Sequence, residues 1–267
     1  MVKILLVLVF LAPALLYVIA WRARERIATA VLIAALALHA GSLLIAARSP
    51  DGWRFGFASI LSATVWIGMV VVWLESLSAG LKALRGVLLP VAALVVLLPL
   101  AFPGAELVER AARPLFVPHL LAGMLAYGVL ALAALHAVLM AVAERALQAG
   151  ASAPQGWTAK LLEDLPPLLA LERILFRLIA AGFTFLTLTA VTGIFFSEQV
   201  FGKPLTLDHK TVFTLVSWLV FGVLLLGRWQ RGWRGKTALR LTLGGFALLL
   251  LAYVGSRFVL EVILRRS

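Results

Sequence analysis

Apolar runs of roughly membrane-crossing length recur along the whole chain, at about 4–21, 27–47, 57–78, 87–102, 116–142, 174–197, 211–227 and 239–263. A helix needs about 20 apolar residues to cross the hydrocarbon layer, so these runs predict about eight transmembrane helices, the fourth being the shortest. Segments such as Val87 to Phe102 and Leu219 to Leu226 do not alternate as the strands of a membrane barrel do. The expected fold is therefore all-α, a polytopic transmembrane helical bundle. Composition agrees: 63% of the 267 residues are hydrophobic and 13% are charged, against about 25% charged in a soluble domain. No sizeable soluble domain fits, and residues 1–267 read as a single membrane domain.

Basic residues set the expected orientation. Arg22, Arg24 and Arg26, then Lys82 and Arg85, then Arg145, Lys160, Arg173 and Arg177, then Arg228, Arg231, Arg234, Lys236 and Arg240 all fall on alternate connections of the same sidedness. Both termini are thereby expected outside, with the strongest bias at Arg228 to Arg240. The first run follows Lys3 and could pass for a signal peptide, but Trp21, Arg22, Arg24 and Arg26 stand where small cleavage-site residues belong, so it reads as a retained span. Gly150, Pro154, Gly156 and the Pro166-Pro167 pair break the helical pattern. An inside loop over 146–167 is expected to separate helices 1–5, at 1–145, from helices 6–8, at 168–267.

Several function classes drop out. The net charge of +12, from 24 Lys+Arg against 12 Asp+Glu, orients loops in a membrane protein and does not point to nucleic acid. With no cysteine, this chain's own residues supply neither disulfides nor Cys-ligated metal. P-loop, HExxH, GxSxG and GxGxxG motifs are absent from plausible contexts, so neither a hydrolase nor an ATPase is expected, and no catalytic residue is assigned.

What remains is a small polar minority inside or beside the spans, where ionisable groups are costly and are functional candidates by default. His119 and His209 are both expected at the outer ends of their helices, where two imidazoles could bracket a haem iron, or each could cap a helix or meet headgroups. His136 lies about 25 Å further along its helix than His119 at 1.5 Å per residue, so those two cannot share one metal, and His136 reads as structural. His39 reads either as a hydrogen bond to a neighbouring helix or as the edge of a mid-membrane cofactor or quinone cavity. Thr184, Thr187, Thr189 and Thr192 with Gly182 and Gly193 read as close helix packing.

Thr192 to Gly235 resembles the cytochrome c assembly protein family, the CcsA/CcmC/HemX group. The shared frame runs Thr192-Gly193, then Phe201-Gly202-Lys203-Pro204-Leu205-Thr206-Leu207-Asp208-His209-Lys210, then Trp218, then Gly232-Trp233-Arg234-Gly235. Pro118-His119-Leu120 through Tyr127 resembles the family's outer-face histidine helix, and Arg48 to Leu61 resembles the loop and helix start after its second helix. The Leu165 to Leu168, Leu186 to Thr189 and Tyr253 to Arg257 segments fit its eight-span bacterial inner-membrane YpjD subgroup. Departures are local. Phe201, Leu205 and Leu207 stand where the family carries tryptophans, His209 where it carries proline, and Leu226 where an inner-end histidine is expected.

The resemblance implies a multi-pass protein of the bacterial inner membrane that binds or passes haem at its periplasmic face and works with cytochrome biogenesis proteins. His119 and His209 are the implied iron ligands, and Phe201, Leu205 and Leu207 the apolar contacts to the ring. Asp208 either orients His209 or caps its helix, and Arg257 meets a haem propionate or a lipid phosphate. The action is ligation and not bond chemistry, so the chain is not read as an enzyme. A haem-free regulatory or scaffolding protein, and a quinone- or solute-binding transporter, stand as the alternatives.

Overall fold

The computed structural model describes residues 2–49, 52–76, 82–106, 115–149, 167–198, 202 and 206–252. Helices α1 (Val2–Arg22) and α2 (Glu25–Ala47) form a hairpin, followed by strands β1 (Arg48–Ser49) and β2 (Gly52–Phe55) and helix α3 (Phe57–Ser76). Helix α4 (Lys82–Val95), the short α5 (Leu98–Ala101) and strand β3 (Ala105–Glu106) come next. The rest is α6 (Phe116–Ala149), α7 (Leu168–Phe195), α8 (His209–Arg231) and α9 (Gly235–Leu250). The all-α membrane architecture holds. Among the described residues five stretches are long and apolar enough to cross a bilayer, namely Ile27–Ala47, Phe57–Leu74, Phe116–Gln148, Leu168–Phe195 and His209–Arg231, with shorter apolar helices at Leu6–Arg22 and Arg85–Ala101.

Close approach of helices depends on missing side chains. A Cβ on Gly182 of α7 would stand 2.6 Å from Leu130 of α6, and one on Gly128 of α6 would stand 2.6 Å from Ile67 of α3. Small residues let backbones approach where lipid gives no hydrophobic drive to pack. The core between these helices is Leu130, Leu171, Leu175, Ile179 and Leu186, with Phe221 from α8, all essentially inaccessible. Helix α9 closes against α8 through the Ser217 hydroxyl, which donates to the Gly245 carbonyl at 2.8 Å. It meets α6 through the Tyr127 hydroxyl, which donates to the Leu249 carbonyl. The first half packs α1 on α2 and α4, and α3 on α4 and α6.

Several boundaries differ from the apolar runs; α6, for one, continues to Ala149, seven residues past 142 and into the segment expected to be loop from 146. Helix α7 starts at Leu168, at the expected end of the inside loop and ahead of the apolar run near 174; its early charge, Glu172, is buried in the helix and paired. Helix α8 runs on to Arg231 and stops at Gly232, whose φ of 65° is the left-handed conformation that favours glycine at a helix end. The 87–102 run is two pieces, since Pro99 in the first turn of α5 has no N–H to continue the α4 ladder. Finally, 48–55 is no plain loop. It forms antiparallel pairs Arg48 with Trp53 and Arg54 with Glu106, a small three-stranded ribbon in the order β1-β2-β3.

Candidate functional site

The seam between α6 and α7 places His119. Its Nδ1 lies 2.8 Å from the Thr192 hydroxyl oxygen. A Cβ on the next residue, Gly193, would stand 3.4 Å from the His119 Cε1, so this glycine leaves room for the imidazole edge. Contacts then descend in antiparallel register, with Gly123 against Thr189, Leu130 against Gly182, and His136 against Leu171. All four threonines of α7 bond a carbonyl one turn back: Thr184 to Ala180, Thr187 to Phe183, Thr189 to Phe185 and Thr192 to Leu188. Two of them also serve a neighbouring helix. Thr192 meets His119, and Thr187 accepts from the Trp218 indole N–H at 2.9 Å.

Trp218 fixes how α8 lies on α7. Its ring stacks on Phe183 at 5.6 Å between centroids and 20° between planes. The same register puts Thr192 level with about Phe213, one turn inside His209. His209 therefore lies about 5–6 Å beyond the level of His119, at a rise of 1.5 Å per residue. It is exposed, as are Asp208 and Leu207.

The geometry gives Asp208 the capping role. Its carboxylate accepts from the Thr211 N–H at 2.9 Å and the Thr211 hydroxyl at 3.0 Å, closing the start of α8. Partial burial pushes its carboxyl up, but the two Thr211 bonds, with Lys210 and His209 beside it, outweigh that and hold it below the ordinary carboxylate value.

The other candidates lie elsewhere. His39, fully buried, joins three helices. Its Nδ1 is 2.9 Å from the Tyr17 hydroxyl on α1 and its Nε2 is 2.9 Å from the Ser62 hydroxyl on α3, so both ring nitrogens are engaged in hydrogen bonds between helices. His136 donates from Nε2 to the Leu171 carbonyl at 2.9 Å, toward the opposite end of α6 from His119. Phe201, Leu205 and Arg257 lie outside the described residues.

At that opposite end, sequence reasoning missed a charge cluster. A Glu172 oxygen stands 2.6 Å from Arg228 and 3.9 Å from Arg234. The Arg228 guanidinium also lies 4.6 Å over the Phe176 ring and donates to the Trp233 carbonyl at 3.3 Å. Trp233 covers Gly227, where a Cβ would come within 2.3 Å of its ring. The Gly232-Trp233-Arg234-Gly235 segment is thus a folded corner between α8 and α9. The available signal was Glu172 itself, an acid just inside an apolar run, which calls for a cation in a neighbouring helix.

Among the described residues no group of three or more His, Asp or Glu side chains could hold a bare metal ion. A haem asks for less, since the porphyrin brings its own equatorial donors and needs one or two axial ligands. The residues present fit that demand: His119 is a seated imidazole, His209 on α8 stands about one turn further out along the bundle axis, and Leu121, Phe195 and Leu207 at the same end expose apolar surface for a ring.

The family model described as "Cytochrome C assembly protein" matches residues 4–264. The chain is 30% identical over 242 residues to "Inner membrane protein YpjD" of Escherichia coli K12, covering 88% of this chain and 87% of that protein. It is likewise 30% identical over 239 residues to an uncharacterized 28.8 kDa protein of Azospirillum brasilense, covering 84% and 85%. The "Cytochrome c biogenesis protein CcsA" of Trichormus variabilis is 32% identical over 110 residues, 39% of this chain and 31% of that protein. No solved structure matches the chain.

Proposed function

We propose, because this chain belongs to the cytochrome c assembly protein family, that it binds or passes haem at the periplasmic face of a bacterial inner membrane. The observation that carries this reading is the seat of His119, held on Thr192 beside Gly193 at the end of the α6–α7 seam, the same end of the bundle at which His209 begins α8. His119 and His209 would hold the iron, while exposed Leu207 and the adjoining Phe201 and Leu205 would face the ring. The haem supplies a redox-active iron and a destination in a cytochrome. The protein's part is to present one imidazole in a fixed orientation, to keep apolar surface around it, and to cap α8 with Asp208 so that His209 starts a formed helix. No bond of the protein is made or broken apart from ligation, so the role is not enzymatic. The matching topology has eight spans with both termini outside, the Arg228 to Arg240 cluster inside, and partners among the cytochrome biogenesis proteins.

The test is direct. Protein purified in mild detergent from haem-replete cells is expected to show a Soret band that is lost in His119→Ala and reduced or shifted in His209→Ala. Absence of a Soret band, or a band that neither substitution alters, overturns the proposal. A second reading rests on the residues that replace the family's tryptophans, Phe201, Leu205 and Leu207: a haem-free scaffold that copurifies a protein partner with no cofactor.

A further inference from the structure

A threonine hydroxyl has one proton and two lone pairs. The Thr192 oxygen stands 2.7 Å from the Leu188 carbonyl and 3.1 Å from the Thr189 carbonyl, both of which are acceptors only. It also stands 2.8 Å from the His119 Nδ1. Turning the hydroxyl proton toward the imidazole would leave two oxygen lone pairs facing each other at 2.7 Å. Keeping it on the backbone carbonyl satisfies that contact and makes Thr192 an acceptor toward the ring. The proton of the third contact must then come from His119, at Nδ1.

We infer that Thr192 is a positioning residue that fixes His119 in the Nδ1-protonated tautomer and so leaves the ring's lone pair on Nε2. This rests on the haem-ligand reading of His119 for its use, but the tautomer itself does not. A neutral imidazole ligates through its unprotonated nitrogen, and which one that is depends on the bond the other makes. Gly193 borders the seat: a Cβ there would come to van der Waals contact, 3.4 Å, with Cε1, the carbon between the two nitrogens. Consecutive residues of α7 thus meet one ring: Thr192 sets the proton and Gly193 lies along the Cε1 edge. Neither depends on the tryptophans that this chain lacks.

The experiment uses the full-length chain labelled with ¹⁵N-histidine, prepared from both haem-deficient and haem-replete cells. The His119 signals are assigned by their loss in His119→Gln. In the haem-free protein, His119 is expected to show a protonated, pyrrole-type Nδ1 and a pyridine-type Nε2. Thr192→Ser, which keeps the hydroxyl, should preserve that pattern. Thr192→Val, which keeps the shape and removes the acceptor, should shift it toward Nε2 protonation and, in the haem-replete preparation, weaken haem retention about ten- to a hundredfold, as loss of a partner behind a ligating histidine does. An Nε2-protonated ring in the wild type, or a Thr192→Val protein whose His119 signals are unchanged, overturns the inference whatever the Soret band shows. The predicted tautomer in a protein with no Soret band sustains the Thr192 assignment and defeats only the haem reading.

Discussion

The Arg228 guanidinium lies 2.6 Å from a Glu172 carboxylate oxygen, joining the end of α8 to the first turns of α7. Glu172 is far less accessible than its partner, with side-chain exposures of 12% and 33%. Removing the arginine would therefore leave the more deeply buried charge with only the longer contact to Arg234 at 3.9 Å. Arg228→Gln is expected to lower stability by about 1–3 kcal/mol, the cost of leaving a buried polar group unsatisfied. Arg228→Lys should recover part of it, because the ammonium keeps the charge and loses the flat face over Phe176. Thermal unfolding in detergent, with Glu172→Gln and the double variant completing a cycle, measures this. Additive effects would mean the pair is not coupled.

Gly182 and Gly244 are both helical glycines with opposite surroundings. A Cβ at 182 would meet Leu130 Cγ and Cδ2 at 2.6 Å, while one at 244 would meet nothing within 4 Å. Gly182→Ala is expected to cost about 1–3 kcal/mol by overpacking, and Leu130→Ala in the same chain to relieve part of the clash. Gly244→Ala should leave the melting temperature unchanged or slightly raised, since alanine is the better helix former. Equal effects at the two sites would contradict the packing.

Asp208 makes the start of α8 sensitive to acid. Its native carboxyl is held below the ordinary carboxylate value, so its contribution is fully present above that value and is lost as pH falls through the depressed native one. Asp208→Ala should destabilise by about 1 kcal/mol near neutrality, the usual worth of such a cap. Asp208→Asn should retain most of the capping and flatten the acid limb of a stability-versus-pH curve. A wild-type acid limb unchanged by Asp208→Asn would exclude this contribution.

Tyr17, His39 and Ser62 form one buried chain across α1, α2 and α3. Tyr17→Phe and Ser62→Ala each leave one imidazole nitrogen without its partner and are expected to cost about 1–3 kcal/mol. The double variant should differ from the sum, because both act on one ring. Strict additivity in chemical unfolding would mean the three residues do not act as a unit.

How far the sequence carried these findings depends on range. Apolar runs set the helices to within about two turns, because bilayer thickness fixes the length of the apolar stretch while the helix itself can run on past it. What was missed includes a distant pairing and a local break: Glu172 drew no attention until the fold set Arg228 beside it, and the 87–102 run looked continuous although Pro99 divides it. At the site, His119 was legible as an intramembrane imidazole and Asp208 as a cap. Thr192 was read as packing alone. Its hydrogen bond to His119 spans a separation of 73 residues, and only the antiparallel register of α6 and α7 brings the two to one level. The 48–55 ribbon was missed because β2 takes its second partner from Ala105–Glu106, across an intervening helical hairpin.

Three side chains of α7 grip three different neighbours. Thr192 holds an imidazole of α6, Thr187 an indole of α8, and Glu172 the guanidinium at the far end of α8. At 1.5 Å per residue this 28-residue helix is about 42 Å long, so it acts as a common shaft running the depth of the bundle. A slip of one turn along its axis would release all three grips together. The charged corner and the histidine end therefore share one rigid element, and a rigid slide of α7 cannot break the contacts at one end while keeping those at the other.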